Sequence, residues 1–300
     1  QNFSPCYDLQ KIKIFKDNNF RAIPSGYIFS DTDDSINLNT ISNKEKDSLL
    51  DQPIENFSDN KSINNTNEYK TIHEEMIKKI IHIADLHIRT YQYHDMYKRQ
   101  FDLLLEDLKE QVLDYDYSEI RVVIAGDIAH QKISISNEQM MLTSWLIKEL
   151  ADIIGKVIII PGNHDFLENN VQRLDSITPV VELLNHEDIK YYKNSGVYED
   201  DNINWVVYSL YEHNQKPEYT KGEGFYVGLF HGPIQGLSTD LGFEFESAYS
   251  PLNFVDLDLL LCGDIHKRQM FDLPGGGKAI MIGSLIQQNF GETVNYHGYG

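Results

Sequence analysis

Five short apolar runs stand out along the chain, each rich in Val, Ile and Leu and each followed by turn residues. Runs of about four to eight such residues between Gly, Pro and Asp are typical of buried strands. We therefore expect core strands at these five places. The runs are residues 79–84, 120–125, 157–160, 225–230 and 257–262.

Apolar residues at helical spacing follow the first and second runs. Residues 94–113 and 137–153 each carry an apolar stripe that would pack on a sheet. Gly155 follows the second stripe, where a glycine often ends a helix. A short helix is expected at Thr178, with Pro179 at its first turn. The stripe residues, all expected in the core, are Tyr97, Phe101, Leu104, Leu105, Leu108 and Val112, then Met140, Met141, Trp145, Ile147 and Leu150.

The pattern later changes from strand–helix alternation to strands joined by turns. Residues 197–198 and 203–210 are strand-like, and the polar turn 199–202 predicts a hairpin between them. A second hairpin is expected between residues 269–272 and 279–282. We interpret these later strands as antiparallel. The whole order of elements predicts an α/β fold, a two-sheet β-sandwich flanked by helices.

Residues 1–70 differ in composition from the rest of the chain. They are rich in Asn, Ser and Asp, and residues 42–70 have the aperiodic, polar character of a linker. Strand-like patches occur only at 11–15 and 21–29. We expect an N-terminal extension at 1–70, whose role the sequence leaves open. Residues 71–300 are expected to form one domain that is truncated at its C-terminal end.

Potential metal ligands follow all five runs at the same end. In chain order the runs end in Asp-x-His, Gly-Asp, Gly-Asn-His-Asp, His-Gly and Gly-Asp-x-His. Ligands of α/β sheets collect at the carboxyl ends of the strands, so we expect these side chains to converge. One polar turn after a core strand would be ordinary, but five strands that end alike indicate a site. The donors are Asp85, His87, Asp127, Asn163, His231, Asp264 and His266.

Seven donors of mixed nitrogen and oxygen type exceed the four that one zinc site takes, and therefore indicate two ions. Oxygen-rich sets with imidazole suit Mn²⁺, Mg²⁺ or Fe²⁺ better than metals that prefer thiolates. Two ions about 3.5–4 Å apart can stabilise the attacking and leaving oxygens of a displacement at phosphorus. We therefore predict a phosphoesterase with two divalent ions, Mn²⁺ being the first choice, which a carboxylate such as Asp127 can bridge.

The negative charge limits what the chain can bind by itself. The formal net charge is −20, and residues 71–300 hold 18 Lys and Arg against 35 Asp and Glu, a balance of −17. Phosphate backbones are bound mainly by Lys and Arg, so a general nucleic-acid-binding surface is disfavoured. Metal ions can still invert the field at one site. If DNA is the substrate, a partner protein is expected to provide much of the DNA-binding surface.

Cys6 and Cys262 are the two cysteines of the chain, and their separation indicates no disulfide framework. Cys262 lies in a predicted core strand and is expected to be a small buried apolar residue. No signal peptide is visible in the given sequence, and no apolar run in it approaches the length needed to span a bilayer. We expect no membrane association and an intracellular, reducing compartment, such as the cytoplasm, the nucleus or a viral factory.

The order of the five motifs resembles that of the calcineurin-like metallophosphoesterases. The resemblance covers residues 79–292, and four of the five motifs match fully. Within that superfamily, residues 263–267 and 283–292 resemble the SbcD-type nuclease subunits of DNA repair. The bias toward Ile, Tyr and Asn is similar to that of viral or phage proteins. The resemblance implies the four-layer metallophosphoesterase fold.

The resemblance also implies a role for each strand-end residue. His164 would contact the phosphate and protonate the leaving oxygen. His130 matches a second histidine that positions DNA in these nucleases, the alternative being a solvent-facing histidine at a helix start. The two implied metal sites share one carboxylate and consist of Asp85, His87, Asp127 and His266, and of Asp127, Asn163, His231 and Asp264.

Asp264 departs from the family pattern, which usually has His at this position. A carboxylate is a harder, anionic ligand, so we expect a shift of the site toward Mn²⁺ or Mg²⁺. The alternative is a weaker second ion and a lower activity.

These features predict a metal-dependent DNA exonuclease or endonuclease of repair, recombination or replication. The resemblance implies an SbcC-type ATPase partner, whereas homodimerisation stays open. The glycine run 275–277 is not a phosphate loop, because Ala279 replaces the required Ser or Thr and Asp272 stands at the first glycine position. Two alternatives remain: a phosphatase or cyclic-nucleotide phosphodiesterase on the same site, and a non-catalytic scaffold.

Overall fold

The computed structural model describes residues 21–22, 76–293 and 297–300. The first described strand is β1 (Arg21–Ala22). The rest of the expected extension, including the strand-like patch at 11–15, lies outside the described residues. The domain boundary near residue 70 therefore stays a prediction.

A parallel four-stranded sheet contains the first three apolar runs. Its order is β2 (Lys79–Ile83), β3 (Ile120–Ala125), β4 (Lys156–Ile160) and β5 (Ile189–Tyr191), and every neighbouring pair is parallel. Parallel strands are usually covered on both faces, which explains their nearly continuous apolar character. All six residues of β3 are buried.

Helices connect these strands and cover one face of the sheet. The connections are α1 (His94–Gln111), α2 (Asn137–Glu149) and α3 (Thr178–Leu184), close to the predicted positions. Their buried side chains form a core with alternate strand residues such as Val122 and Ile124. Within the described residues, no helix has the length and apolarity needed to cross a membrane.

The helical segment that begins with α2 ends at Gly155, as predicted, but the reason for a glycine there differs from the expected one. The helix continues as a π-helical segment, Leu150–Ile154, and ends at Gly155. The backbone of Gly155 is extended rather than left-handed. A Cβ atom there would lie 2.8 Å from Cβ of Ile120, so glycine is required because β3 passes too close for a side chain.

The prediction that Met141 is a core residue is wrong, since its side chain is 70% exposed. Met140 and Trp145 are partly buried against the core, and Ile147 is fully buried. Successive helical residues differ by about 100° around the axis, so a stripe that buries Ile147 turns Met141 toward solvent.

The later strands form a mixed six-stranded sheet. Its members are β6 (Gly196–Asp200), β7 (Ile203–Tyr208), β8 (Phe225–His231), β9 (Leu259–Gly263), β10 (Gln269–Asp272) and β11 (Lys278–Met281), in the order β10-β11-β9-β8-β7-β6. Both predicted hairpins, β6–β7 and β10–β11, are antiparallel. The expectation of antiparallel strands throughout is wrong, because β7, β8, β9 and β11 run parallel.

The two sheets pack face to face, which confirms the predicted α/β sandwich. Val123 and Ile158 of the first sheet share one core with Trp205 and Leu229 of the second. Cys262 is buried on the outer face of the second sheet, as expected for a small apolar residue. That face is covered by residues such as Phe254, which lies in the short 3₁₀-helix Pro251–Phe254.

A buried ion pair joins the two sheets near the amino end of β3. Arg121 is fully buried, and its Nε and Nη2 atoms lie 2.6 and 2.7 Å from the two carboxylate oxygens of Asp200. Nη2 also lies 2.7 Å from Asp201, in the turn of the first hairpin. This bidentate pair therefore connects the β6–β7 hairpin of the second sheet to β3 of the first sheet.

The last described strand, β12 (Gly298–Tyr299), pairs with β1 in antiparallel register. His82 of β2 and Gly300 exchange two backbone hydrogen bonds of 2.8 and 3.0 Å. The edge of the parallel sheet at β2 is thus continued by segments from opposite ends of the sequence.

Candidate metal centre

The carboxyl ends of β2, β3, β4, β8 and β9 converge between the sheets. His231 is the last residue of β8, and the other predicted donors lie in the loops that follow the strands. Parallel direction is what makes this possible, because it places the ends of neighbouring strands at the same edge. The donors form two groups that lie side by side.

The first group comprises Asp85, His87 and His266, whose ligand atoms all lie within 4.8 Å of one another. Nε2 of His87 is 3.0 Å from Nε2 of His266 and 3.4 Å from Oδ2 of Asp127. Two imidazole nitrogens and two carboxylates thus face a common point, as a metal ion requires.

The second group comprises Asp85, Asp127 and His231, again within 4.8 Å. Nε2 of His231 lies 3.3 Å from Oδ1 of Asp127 and 3.8 Å from Oδ1 of Asp264. Asn163 lines the same cavity as His231 and Asp264, and its buried Oδ1 has no hydrogen-bond partner in the described structure.

Asp127 lies between the groups in the manner expected of a bridging ligand. Its Oδ2 atom faces His87 of the first group, and its Oδ1 atom faces His231 of the second. Asp85 also belongs to both groups, although the resemblance placed it in one.

Left-handed backbone conformations turn the ligands into the centre. Asp85, His87, Asp127 and Asp264 have φ angles of 52°, 44°, 55° and 96°. Such values are uncommon for residues other than glycine and tend to cluster at functional sites, where the surrounding structure maintains them.

The glycines before three of the ligands provide room for the neighbouring chains. A Cβ on Gly126 would lie 2.3 Å from Nδ1 of His231, and one on Gly162 would lie 2.1 Å from Oδ1 of Asp127. A Cβ on Gly263 would lie 2.2 Å from the carbonyl oxygen of Ala125. The recurring glycines of the motifs are therefore explained by close approach within the site.

Two ligand histidines are oriented through the nitrogen that faces away from the centre. Nδ1 of His231 lies 2.8 Å from the carbonyl oxygen of Ala125, and Nδ1 of His266 lies 2.6 Å from Oε1 of Glu292. Since these oxygens accept, each Nδ1 carries the proton and each Nε2 is left for a metal.

Glu292 is a functional residue to which sequence reasoning gave no role. Its Oε1 also accepts from Nδ2 of Asn289 at 2.7 Å, and its Oε2 accepts from the backbone N–H of Gln288 at 2.7 Å. Burial lowers the pKa of His266, but Glu292 and Asp85 outweigh it and raise the pKa to about 8. The quoted motif contained Glu292, but nothing in it indicated which histidine the carboxylate contacts.

Asp165 is a second residue whose role was missed. It is fully buried, and its carboxylate accepts backbone N–H groups from Asp127 at 2.9 Å, Gly162 at 2.8 Å and Ala129 at 2.9 Å. It therefore fixes the turns after β3 and β4 to each other. Burial and the nearby charge of Asp127 raise the pKa of Asp165 to about 7.

The electrostatics of the centre fit divalent cations. Burial raises the pKa of Asp85 to about 7 and also raises that of Asp264, while burial holds the pKa of His87 well below its usual value. Nε2 of His231 and Nδ1 of His87 are buried and lack hydrogen-bond partners in the described structure. Positive charge at this point would stabilise the carboxylates and satisfy Nε2 of His231, so the donor set fits the predicted ions.

His164 lies beside the donors and makes different contacts. Its backbone N–H donates to Oδ1 of Asp127 at 2.8 Å, and its Nδ1 lies 2.8 Å from the carbonyl oxygen of His130. That oxygen accepts, so Nδ1 carries a proton and Nε2 is the nitrogen available for exchange with substrate. The ring centre is 4.8 Å from that of His87.

His130 is brought to the same place. Its ring centre lies 5.4 Å from that of His87 and 5.7 Å from that of His164. The residue is half-buried and precedes α2 by several residues, so it does not begin a helix. Burial and the charge of Arg89 lower the pKa of His130 to about 4.

Comparisons with known proteins identify a family and a viral relative to which the chain is similar. Residues 78–268 match the calcineurin-like phosphoesterases, a range that includes every donor named above. An uncharacterized protein of Acanthamoeba polyphaga mimivirus is 36% identical over 235 residues, which is 74% of this chain and 17% of the viral protein. The chain thus spans less than a fifth of the length of that relative.

Proposed function

Because the chain belongs to the calcineurin-like phosphoesterase family, we propose that it is a metal-dependent phosphoesterase that hydrolyses the phosphodiester backbone of DNA. We further propose that it acts in DNA repair, recombination or replication as an SbcD-type subunit, with an SbcC-type ATPase as its partner.

The observation that best supports this proposal is that cavities lie on two sides of the metal centre. One cavity of about 330 Å³ is lined by Asn163, His231 and Asp264, and another of about 250 Å³ is lined by Asp264 and His266. A phosphomonoester carries one organic group, whereas a diester carries two. Cavities that meet at Asp264 suit a substrate that continues on both sides of the scissile phosphate.

The chemistry follows from the residues around the proposed phosphate position. Bound divalent ions would polarise the phosphoryl group and lower the pKa of an attacking water. Asp127 and the other residues of the two ligand groups would hold these ions next to the phosphate. His164, whose Nδ1 is held by the carbonyl oxygen of His130, would protonate the leaving oxygen through Nε2.

The charge of the chain supports a requirement for a partner. With a net charge of −20, the chain repels the rest of a DNA molecule beyond the metal centre. A cationic partner surface would hold the duplex, and an ATPase subunit of the SbcC type is the partner that the sequence resemblance implies.

Cleavage of three substrates tests the proposal. We expect Mn²⁺-dependent cleavage of linear DNA and of bis(p-nitrophenyl) phosphate, slower cleavage of p-nitrophenyl phosphate, and loss of all three with EDTA. His87→Ala and Asp127→Asn should abolish cleavage, with circular dichroism unchanged because neither residue belongs to the apolar core.

The other outcomes identify the alternatives. Preferred cleavage of the monoester would indicate a phosphatase, and cleavage of cyclic nucleotides without cleavage of DNA would indicate a cyclic-nucleotide phosphodiesterase. Absence of metal uptake would indicate a scaffold. At most one metal ion per active protein at saturation would contradict the two-ion arrangement.

A further inference from the structure

The cavity of about 250 Å³ beside His266 lies between two loops, residues 237–245 and 289–292. It opens directly on Asp264 and His266, so anything bound in it adjoins the metal centre. Its lining combines apolar side chains with one cation, a combination that the metal-binding role does not explain.

The apolar wall is exposed to an unusual extent. Leu241 and Phe243 are each 70% exposed, although they stand beside a polar centre. Neighbouring large apolar side chains in solvent often mark a binding surface. Phe243 is held in place by a turn, because Thr239 N–H donates to its carbonyl oxygen at 2.9 Å and its own N–H donates to Oγ1 of Thr239 at 3.3 Å.

Lys267 provides the positive charge. Among the described residues that line this cavity it is the one Lys or Arg. Its Nζ atom lies 3.0 Å from Oγ of Ser238 and 3.4 Å from the carbonyl oxygen of Thr239, both neutral acceptors. The contacts fix the ammonium group at the cavity without neutralising its charge.

Three acidic residues also line this cavity, and Asp264 among them belongs to the metal centre. Glu292 accepts from His266 and Asn289, and Asp240 accepts from the backbone N–H of Thr293 at 3.3 Å. An anionic group entering beside Lys267 would therefore meet an ammonium group whose hydrogen bonds go to neutral oxygens.

We propose that this cavity, lined by Leu241, Phe243 and Lys267, binds the nucleotide next to the scissile phosphodiester. Lys267 contacts the following phosphate, and the base stacks on Phe243. The inference rests on the proposed nuclease function and defines its substrate further, because a base can stack on a side chain only after it leaves the duplex stack. The occupant is therefore a single-stranded or frayed segment.

The larger cavity on the other side of Asp264 does not offer the same chemistry. Its described lining includes Phe166 and Tyr249 but no Lys or Arg, and Glu168 in that lining is paired with Lys132 at 3.1 Å. We therefore expect the DNA strand to occupy the cavity that contains Lys267.

Binding of a short fluorescein-labelled DNA single strand, measured by fluorescence anisotropy in Ca²⁺, tests the subsite directly. Lys267→Gln should weaken binding and reduce the slope of log affinity against log salt by about 0.7, the value for one phosphate contact on a single strand. Lys267→Arg should retain the slope. Lys109→Gln, which removes an exposed charge from the last turn of α1, is the matched control.

Phe243→Ala should weaken binding at least about fivefold, because stacking on an aromatic side chain contributes that much per base. Leu183→Ala, an exposed apolar residue of α3, is its control and should bind as the parent does. A blunt duplex of the same sequence should bind more weakly than the single strand.

The outcomes separate this inference from the proposed function. If the parent fails to bind the single strand, or if either variant binds as well as the parent, the nucleotide subsite is wrong whatever the cleavage assays show. Selective weakening in Lys267→Gln and Phe243→Ala supports the subsite. If the parent binds in this way but does not cleave DNA, the nuclease proposal alone is overturned.

Discussion

His164 follows Asn163 directly in the sequence, and we assign it the role of proton donor that the family resemblance implies. Its Nδ1 is held by the carbonyl oxygen of His130, and its backbone N–H donates to Asp127. His164→Ser should therefore lower turnover by about 10²–10⁴-fold, the usual effect of losing a general acid. Metal content, measured by mass spectrometry after dialysis, should not change.

The rival role for His164 is metal binding, since its ring nitrogen could join those of His87 and His130. Loss of one ion in His164→Ser would establish that role and refute ours. A leaving group of low pKa provides a second readout. With such a diester the defect should shrink, because the departing oxygen no longer needs a proton.

Asp264 places a carboxylate where the family usually has an imidazole. Its Oδ1 lies 3.8 Å from Nε2 of His231, and its backbone N–H donates to Oδ1 of Asp85 at 3.0 Å. Hard oxygen ligands favour Mn²⁺ and Mg²⁺, whereas nitrogen favours later transition metals. Asp264→His should keep activity and shift the metal preference toward ions such as Co²⁺.

Asp264→Ala should lose the second ion and most of the rate. Metal titration followed by calorimetry would show one binding event where the parent has two. Asp272→Ala, which removes an exposed carboxylate from the second hairpin, is the control for charge. Cleavage by Asp264→Ala at the parent rate in Mn²⁺ would mean that Asp264 is not a ligand.

At the scale of elements, Asp165 joins the turns that follow β3 and β4. Asp165→Asn replaces one acceptor oxygen by an amide NH₂ that faces a backbone donor. We expect a loss of about 1–3 kcal/mol in the free energy of unfolding, the usual effect of an unsatisfied buried donor. Metal affinity should fall as well, because Asp127 and Asn163 lose their common anchor.

Urea unfolding with and without Mn²⁺ measures both effects of Asp165→Asn. Asp114→Asn, an exposed change of the same kind after α1, should leave both quantities unchanged. Parent-like stability in Asp165→Asn would show that the three backbone hydrogen bonds are not needed to fix the turns.

The elements that the sequence predicted well are those defined by local pattern. The apolar runs and the Gly-Asp and Gly-Asn turns identified the strands and the donors at their ends, because both depend on adjacent residues. Met141 was misplaced because a stripe on a short helix does not define which of two neighbouring residues faces the core. The direction of β8 and β9 was missed because their connections contain no α-helix to indicate a parallel crossover.

Residues that act through distant partners were also missed. Glu292 contacts His266, and Asp165 contacts the backbone of Asp127, pairs that only the folded chain brings together. The residues that neighbour Glu292 and Asp165 in the sequence do not distinguish these two carboxylates from ordinary surface carboxylates.

For the molecule as a whole, the buried pair of Arg121 and Asp200 is the contact between the two sheets that we expect to affect the free energy of unfolding most. Arg121→Met leaves two carboxylates without their cation and should lower the free energy of unfolding by about 3–5 kcal/mol. Burial raises the pKa of Asp200, but the hydrogen bonds and charge of Arg121 outweigh it and hold the pKa below its usual value.

The sign of the pH dependence follows from that depressed pKa. The pair contributes its full stability above the ordinary aspartate value of about 3.9, and the contribution is lost as pH falls through the lower folded value. The difference in stability between parent and Arg121→Met should therefore narrow below about pH 4. Thermal unfolding of both proteins across pH 3–7 measures this difference in stability. A difference that stays constant over that range would contradict the role assigned to the pair of Arg121 and Asp200.

The pairing of β12 with β1 and of Gly300 with His82 has a consequence for biosynthesis. Chains are made from the amino end, so β2 and the sheet behind it emerge long before the segment that covers their edge. An uncovered strand edge is a template on which other chains can add. The nascent protein is thus exposed to aggregation at this edge until residues 297–300 have been synthesised, and a chaperone that shields strand edges should raise its yield.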